Sequence, residues 1–383
     1  MIKIVDKSKC TGCGACSNVC PQNSISMKLD ELGFLYPMVD EHTCIGCGLC
    51  DRTCPVINDG AHAENDYVER SYAIKSRDTE ARMNSSSGGV FSLLARRIIE
   101  EGGIVYGAAF DDQNHVQHIA AVTASDITPI RGSKIIQSSV GTCYKDVLNR
   151  LENGYKVLFS GTPCQINGLL HFLGKPYDLL LTQDIICHGV CSYALYDKYI
   201  AYKKEIRGRE IHSIQFRNKE TGWRDYAVSI CYDDGSKTVI PHGKDELMRA
   251  YLRNYALRPS CYECPFKGKH RHSDITLADC WGIEHVVPQL DDDKGVSFVI
   301  CHSVSGEECI NKILSETESK EINYQDVIKY NMSGEISPAE PADNEEFCSE
   351  IAREPFRSVI NKYCRITTLS RIKRVIKKIV NIR

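Results

Sequence analysis

KVLFSGTPCQINGLLHFLG, Lys156 to Gly174, reads as strand, tight turn and helix: an apolar run ends at Ser160, Gly161 and Pro163 make the turn, and an apolar-periodic segment follows. Cys164 stands at the start of that helix. The helix dipole and free N–H groups favour a thiolate there, which suits a nucleophile, a redox thiol or a metal ligand. Around this unit, from Ser71 onward, β-rich runs (SYAIKS, IVYGAAF, LLLTQDIIC, VSFVIC) alternate with helical patterns such as VFSLLARRIIEEG, the texture of an α/β domain. IHSIQFRN and DYAVSICYDDGSKTVI, with a DDG turn, predict an antiparallel hairpin inserted in it.

The chain has 383 residues, enough for two or three domains, and 42% hydrophobic with 25% charged residues is ordinary globular composition. Twenty cysteines exceed the usual share. The start, MIKIVDKSKC, lacks the apolar core and cleavage site of a secretory signal. So many thiols without export read as metal ligands in a reducing cytosol. No apolar run approaches the roughly 18 residues needed to span a bilayer. Arg365 to Arg383 carry seven basic and no acidic residues; without them 40 basic face 50 acidic residues, a net charge of −10 that argues against nucleic acid as a partner.

Three domains are expected. Residues 1–60 are dense in Cys and Gly, 71–330 form the α/β domain, and 331–383 join the Pro- and acid-rich linker SPAEPADNEEF to a basic end. In that end, Ile366, Leu369, Ile372, Ile376 and Ile379 recur at helical steps among lysines and arginines. Such an amphipathic helix suits an anionic membrane surface or, equally, a protein face.

Within 1–60 lies one repeat, CTGCGACSNVCP from Cys10 and CIGCGLCDRTCP from Cys44. CxxCxxCxxxCP is the spacing by which ferredoxins hold 4Fe-4S clusters, the fourth cysteine reaching across to the other cluster. The ligands are then Cys10, Cys13, Cys16 and Cys54 for one, and Cys44, Cys47, Cys50 and Cys20 for the other. The alternative, a pair of zinc knuckles, does not need the crossing cysteine. In the second domain Cys164 in GTPCQ, Cys187 in DIICHGVCS, and Cys261 with Cys264 in PSCYECPFK each sit in a turn. Parallel strands set such ends side by side. The four thiols would hold a third 4Fe-4S cluster; otherwise they are buried structural cysteines and a zinc or empty CxxC. NSSSGGVFSLL, from Asn84, places serines and glycines before a helix, either an anion cradle or a plain serine cap. RGSKIIQSSVG, Arg131 to Gly141, is either a second anion-binding segment or a solvated loop.

SSSGGVFS, RGSK, GTPCQINGL, CHGV, CxxCPF and DITLADCWG, in this order, give the chain a resemblance to the beta-subunit family of the deazaflavin coenzyme (F-420) hydrogenases and dehydrogenases, in the version with an N-terminal double ferredoxin. The resemblance covers Met1 to about residue 330. It implies a cytoplasmic flavin and iron–sulfur oxidoreductase with FAD beside a 4Fe-4S cluster, a small-molecule electron donor or acceptor, and a redox partner protein. On that likeness Ser86, Ser87, Gly88 and Gly89 cradle the FAD phosphates, while Lys134, Gln137 and Ser138 contact the cofactor. Where many relatives have Gly-Asp, then a variable residue and Trp-Gly, this chain has Ala278-Asp279-Cys280-Trp281-Gly282, so Cys280 competes with Cys187 as fourth ligand of the third cluster. Two other readings stay open: a non-catalytic electron-transfer subunit, and a thiol enzyme with Cys164 as nucleophile.

Overall fold

The computed structural model describes residues 1–58, 67–269 and 271–366. The basic helix expected beyond Ile366 lies outside the described residues. No described helix is long and apolar enough to cross a membrane.

The first unit is small. β1 (Ile25–Leu29) pairs antiparallel with β2 (Leu35–Val39), and each cysteine repeat folds into a loop followed by a short helix, Ala15–Val19 and Leu49–Arg52. Gly12 and Gly14 in one loop, and Gly46 and Gly48 in the other, all have positive φ near 70°, the left-handed conformation that glycine adopts without strain.

An eight-stranded sheet organises the rest. It contains β3 (Arg70–Ser76), β4 (Ile104–Phe110), β5 (Val116–Ala121), β6 (Val157–Ser160), β7 (Leu180–Ile185), β11 (Ile275–Asp279), β12 (Ser297–Cys301) and β13 (Thr317–Ile322). Their order is β13-β3-β12-β11-β7-β6-β4-β5. The four central strands, β4, β6, β7 and β11, are mutually parallel, and the flanking strands run antiparallel. Parallel strands are covered on both faces, which is why VLFS and ITLA are continuous apolar or small runs. The register Ser160↔Gln183 aligns the carboxyl ends of β6 and β7, and β7 pairs with β11 through Ile185↔Leu277. The segments after Ser160, Ile185 and Asp279 therefore emerge along one edge. The inserted hairpin is a three-stranded sheet, β8 (Ile211–Asn218), β9 (Ala227–Tyr232) and β10 (Lys237–Pro241), in the order β10-β9-β8.

The segment expected as an acidic linker is not one throughout. Helices Asn344–Arg353 and Phe356–Tyr363 bury Phe347, Ile351, Phe356, Val359 and Ile360 in the core that holds Tyr196 and Tyr199 of the helix Tyr193–Arg207.

Candidate functional site

A cavity of ≈ 700 Å³ opens at the carboxyl edge of the parallel strands. That is the size of small-molecule cofactor sites, roughly 300–1,000 Å³, in the place where open α/β sheets bind ligands. One wall carries Cys164, Cys187, Cys261 and Cys264 together. Chain order kept them far apart; the strand ends and the turn before the CxxC bring them to one wall.

Cys164 is the second residue of the helix Pro163–Leu173, whose N-cap Thr162 forms a reciprocal box with Gln165. Burial and then the nearby Cys264 push its thiol well up, and Cys187 and Cys13 add to this. Burial thus outweighs the helix end, and Cys164 faces sulfurs, with Thr162 Oγ1 at 3.1 Å as its hydrogen-bond partner. Burial also raises Cys187, Cys261 and Cys264, while the backbone N–H groups of Gly189, Val190 and Phe266 respectively work against it. Four buried thiols that disfavour one another's charge, three met by a backbone N–H and Cys164 by the Thr162 hydroxyl, are a donor set that a cationic cluster would satisfy. Among the described residues no group of three or more Cys, His, Asp and Glu side chains closes around a single metal ion.

Cys280 is 0% exposed and packed among Trp223, Ile283 and Phe298, and its neighbours Ala278, Asp279 and Trp281 line the cavity while it does not. Of the two competitors for the fourth place, Cys187 alone is on the cavity wall.

The two polar segments also meet at the cavity. Ser86 Oγ accepts from Ser133 N at 2.9 Å and lies 2.9 Å from Ser133 Oγ. Gly89, with φ +88°, starts the helix Val90–Glu100 without a side-chain cap, and Ser85, Ser86, Ser87, Gly89, Val90 and Phe91 line the cavity. This uncapped turn of an eleven-residue helix is suited to an anion. Gly88 plays another part. Its N–H donates to Ser297 Oγ at 3.0 Å, it does not line the cavity, and a Cβ there would fall 2.3 Å from Ile74 O. Ser87 Oγ donates to Val296 O at 2.7 Å.

Lys134, Gln137 and Ser138 all line the cavity, each with its polar group engaged. Lys134 Nζ donates to the carbonyls of Pro129, Ile130 and Arg131 at 3.0, 2.8 and 2.7 Å, closing the loop on itself. Gln137 reaches the ferredoxin loop, its Oε1 accepting from Leu35 N and Arg258 Nη1. Ser138 Oγ meets His118 Nδ1 at 2.8 Å, and His118 Nε2 lies 3.1 Å from Ser160 O. Burial lowers the His118 pKa to about 4, so the ring is neutral, donates from Nε2 to the carbonyl and accepts from Ser138. Arg131 Nε is buried without a hydrogen-bond partner, an orphaned donor on the cavity lining.

The inserted sheet roofs the mouth. Arg217 of β8 pairs with Asp279 at 2.7 Å, and Trp223 Nε1 donates to the same carboxylate at 2.9 Å. Trp223 and Trp281 stack at 4.6 Å, and the Arg217 guanidinium lies 3.9 Å from the Tyr226 ring centre. His118, Arg217, Trp281 and Arg258 were not anticipated in the sequence. The one readable signal was Asp279-Cys280-Trp281, a polar and aromatic break at the end of a strand.

The ferredoxin unit docks against this site. Thr11 and Gly12 line the same cavity. Tyr144 Oη lies 2.9 Å from Cys13 O and 2.8 Å from Gln165 O and shares its one proton between them, tying the first loop to the Cys164 helix. Cys13 is raised by burial and by Cys16, Cys10 and Cys54, and Cys16 is pushed up to about 12 by burial and then by Cys10 and Cys54. These four thiols are neighbours, Cys54 among them although it belongs to the second repeat. Cys20, Cys44, Cys47 and Cys50 line a separate small cavity, with Cys47 exposed. Thr11 and Gly12 bring the first loop to the large cavity, while the second set has one exposed member, Cys47.

Residues 154–327 match the family model for the C terminus of the coenzyme F420 hydrogenase/dehydrogenase beta subunit, and residues 9–58 match that of the 4Fe-4S dicluster domain. Among solved structures, a chain in "Xenon derivatization of the F420-reducing [NiFe] hydrogenase complex from Methanosarcina barkeri" aligns at 17% identity and a TM-score of 0.45, covering 79% of this chain and 95% of that one. None of the curated proteins matches this chain.

Proposed function

From its place in the coenzyme F420 hydrogenase/dehydrogenase beta-subunit family, to which the chain belongs through residues 154–327, we propose that it is an iron–sulfur flavoprotein oxidoreductase. The dicluster domain makes it an electron carrier of the 4Fe-4S type. The finer reading adds FAD and a third cluster in the 71–330 domain, the third cluster held by Cys164, Cys187, Cys261 and Cys264.

One observation carries it: a single cavity is lined at once by the serine–glycine turn, the Lys134–Ser138 segment, the four scattered thiols and the first ferredoxin loop. Bound FAD supplies a group that takes electrons in pairs and releases them singly. The uncapped turn at Gly89–Phe91 and the orphaned Arg131 Nε suit its phosphates. The neutral His118 and Ser138 supply uncharged hydrogen-bonding groups to the lining. The mouth, with Trp281, Tyr226 and Arg217, suits a planar organic electron donor or acceptor, such as a hydride carrier. The Cys164 set and the Cys10 set would hold adjacent clusters, and the exposed Cys47 of the second ferredoxin loop would be the side at which a redox partner protein exchanges electrons with the chain.

Anaerobic reconstitution tests this. The expected product contains about twelve irons per chain, at four per cluster, with stoichiometric FAD. A folded chain with about eight irons and no flavin is an electron wire only and refutes the finer reading.

A further inference from the structure

Arg258 is 1% exposed and, among the described residues, no carboxylate pairs with it. Its Nε donates to Cys10 O at 2.8 Å, its Nη1 to Gln137 Oε1 at 2.8 Å and its Nη2 to Leu35 O at 3.0 Å. Nη2 also stands 3.7 Å from Cys10 Sγ, and the guanidinium lies 4.3 Å from the Tyr36 ring centre. The loop is shaped to it: a Cβ on Gly12 would fall 2.9 Å from Nη1. A full charge taken out of water with only neutral partners is strongly disfavoured. Of the groups Arg258 touches, the Cys10 sulfur is the one that becomes anionic when it ligates metal.

The second set differs. The cations beside it are at the surface: Arg52, exposed, with Nη1 3.3 Å from where a Cβ on Gly48 would stand, and the N-terminal amine, near Cys44 and Cys50 and paired with Asp51 at 2.7 Å. Water and the carboxylate screen these charges.

Resting on the iron–sulfur reading above, we propose that Arg258 is the potential-setting cation of the cluster held by Cys10, Cys13, Cys16 and Cys54, making it the station where an electron leaving the cavity comes to rest. The couple concerned transfers one electron, with no bond or proton changing place. Reduction adds one negative charge to the cluster, and a contacting cation in a buried, low-dielectric setting stabilises the reduced state more than the oxidised one. Arg258 is a positioning residue that acts through Cys10. Its planar fork reaches sulfur, Gln137 and two carbonyls at once, which an ammonium does not do.

The experiment is a potentiometric titration of the anaerobically reconstituted full chain, followed by electron paramagnetic resonance. The two signals are assigned with Cys47→Ser, which touches the outward cluster alone. Arg258→Gln is expected to displace the inner cluster's reduction equilibrium at least tenfold toward the oxidised state, 59 mV per tenfold for a one-electron couple. The outward cluster should not move, and Arg258→Lys should retain most of the wild-type potential. An unmoved inner cluster at full iron content, or equal displacement by Lys and Gln, overturns the proposal. Should Arg258→Gln not fold, Gln137→Glu sets a carboxylate against the guanidinium. It is expected to lower the same potential, and an unmoved value again overturns the proposal. A wild-type chain without two ferredoxin-type signals overturns the iron–sulfur reading itself, a distinguishable failure.

Discussion

Alanine at Gly168 probes the seam between the two iron–sulfur regions. The position is inside the helix Pro163–Leu173, where Ala is favoured over Gly by roughly 0.5–1 kcal/mol. Against that gain, the new Cβ would lie 2.9 Å from Cys13 Cβ, 3.0 Å from Cys13 Sγ and 3.1 Å from Tyr144 Oη. Comfortable contacts between such atoms are about 3.5–4.0 Å, so the methyl is too close by several tenths of an ångström on three sides. Cys13 has little room to retreat, because Tyr144 holds its carbonyl and Gly12 and Gly14 fix the loop in left-handed conformations. Overpacking of this kind costs about 1–3 kcal/mol, which leaves a net loss of up to about 2.5 kcal/mol, about 1 kcal/mol at mid-range. A cluster bound to Cys13 pins it further, so the loss is larger in the iron-loaded chain than in the iron-free one. Anaerobic urea denaturation of both forms, with iron analysis, measures this. A Gly168→Ala chain as stable as wild type and fully loaded would falsify the tight docking of the first loop on the Cys164 helix.

Three further expectations follow from the same geometry. Cys164→Ser should cost about four of roughly twelve irons and leave the ferredoxin signals intact, whereas Cys280→Ala should keep all of them; iron loss in the second variant and not the first would reverse the ligand assignment. His118 has its pKa lowered by burial to about 4 in the folded chain against 6.5 in the unfolded one, so its contribution is present above pH 6.5 and lost as pH falls toward 4, on the order of 3 kcal/mol in all. Urea midpoints at pH 7 and 5 should therefore fall more for wild type than for His118→Gln, and parallel falls would exclude this titration. Gly88→Ala forces a Cβ to 2.3 Å from Ile74 O and 2.6 Å from Ser297 N, and should destabilise by more than about 2 kcal/mol and lower flavin content; thermal unfolding with unchanged midpoint would show that the turn yields.

Much of the α/β unit was legible because its parallel strands are buried on both faces and so write continuous apolar runs between Gly and Pro turns. The thiol constellation was legible for the same reason: Cys164 and Cys187 follow strands that end side by side. β5, β11 and β13 were not anticipated. TESKEI is an edge strand with mostly exposed side chains, and its charge reads as loop. The helices at 344–363 were hidden by proline and acid content, although Phe347, Ile351, Phe356 and Ile360 carried a helical step. The roles of individual polar residues were the least legible. Gly88 looked like part of an anion cradle, yet its N–H belongs to Ser297 and its missing side chain to Ile74. Lys134 looked like a cation for a ligand and instead closes its own loop. Both depend on neighbours more than a hundred residues away or on backbone carbonyls, which no local pattern encodes.

The seating of the first cysteine loop also orders events in the life of the chain. With Cys13 8% and Cys16 7% exposed, and the loop held by Tyr144, Gln137 and Arg258, the inner set reaches solvent through the partly exposed Cys10 and Cys54. Iron and sulfide offered to the folded chain are therefore expected to enter the outward set faster than the inner one, a difference that timed anaerobic reconstitution measures. The outward set, with Cys47 at the surface, stays open to repair throughout.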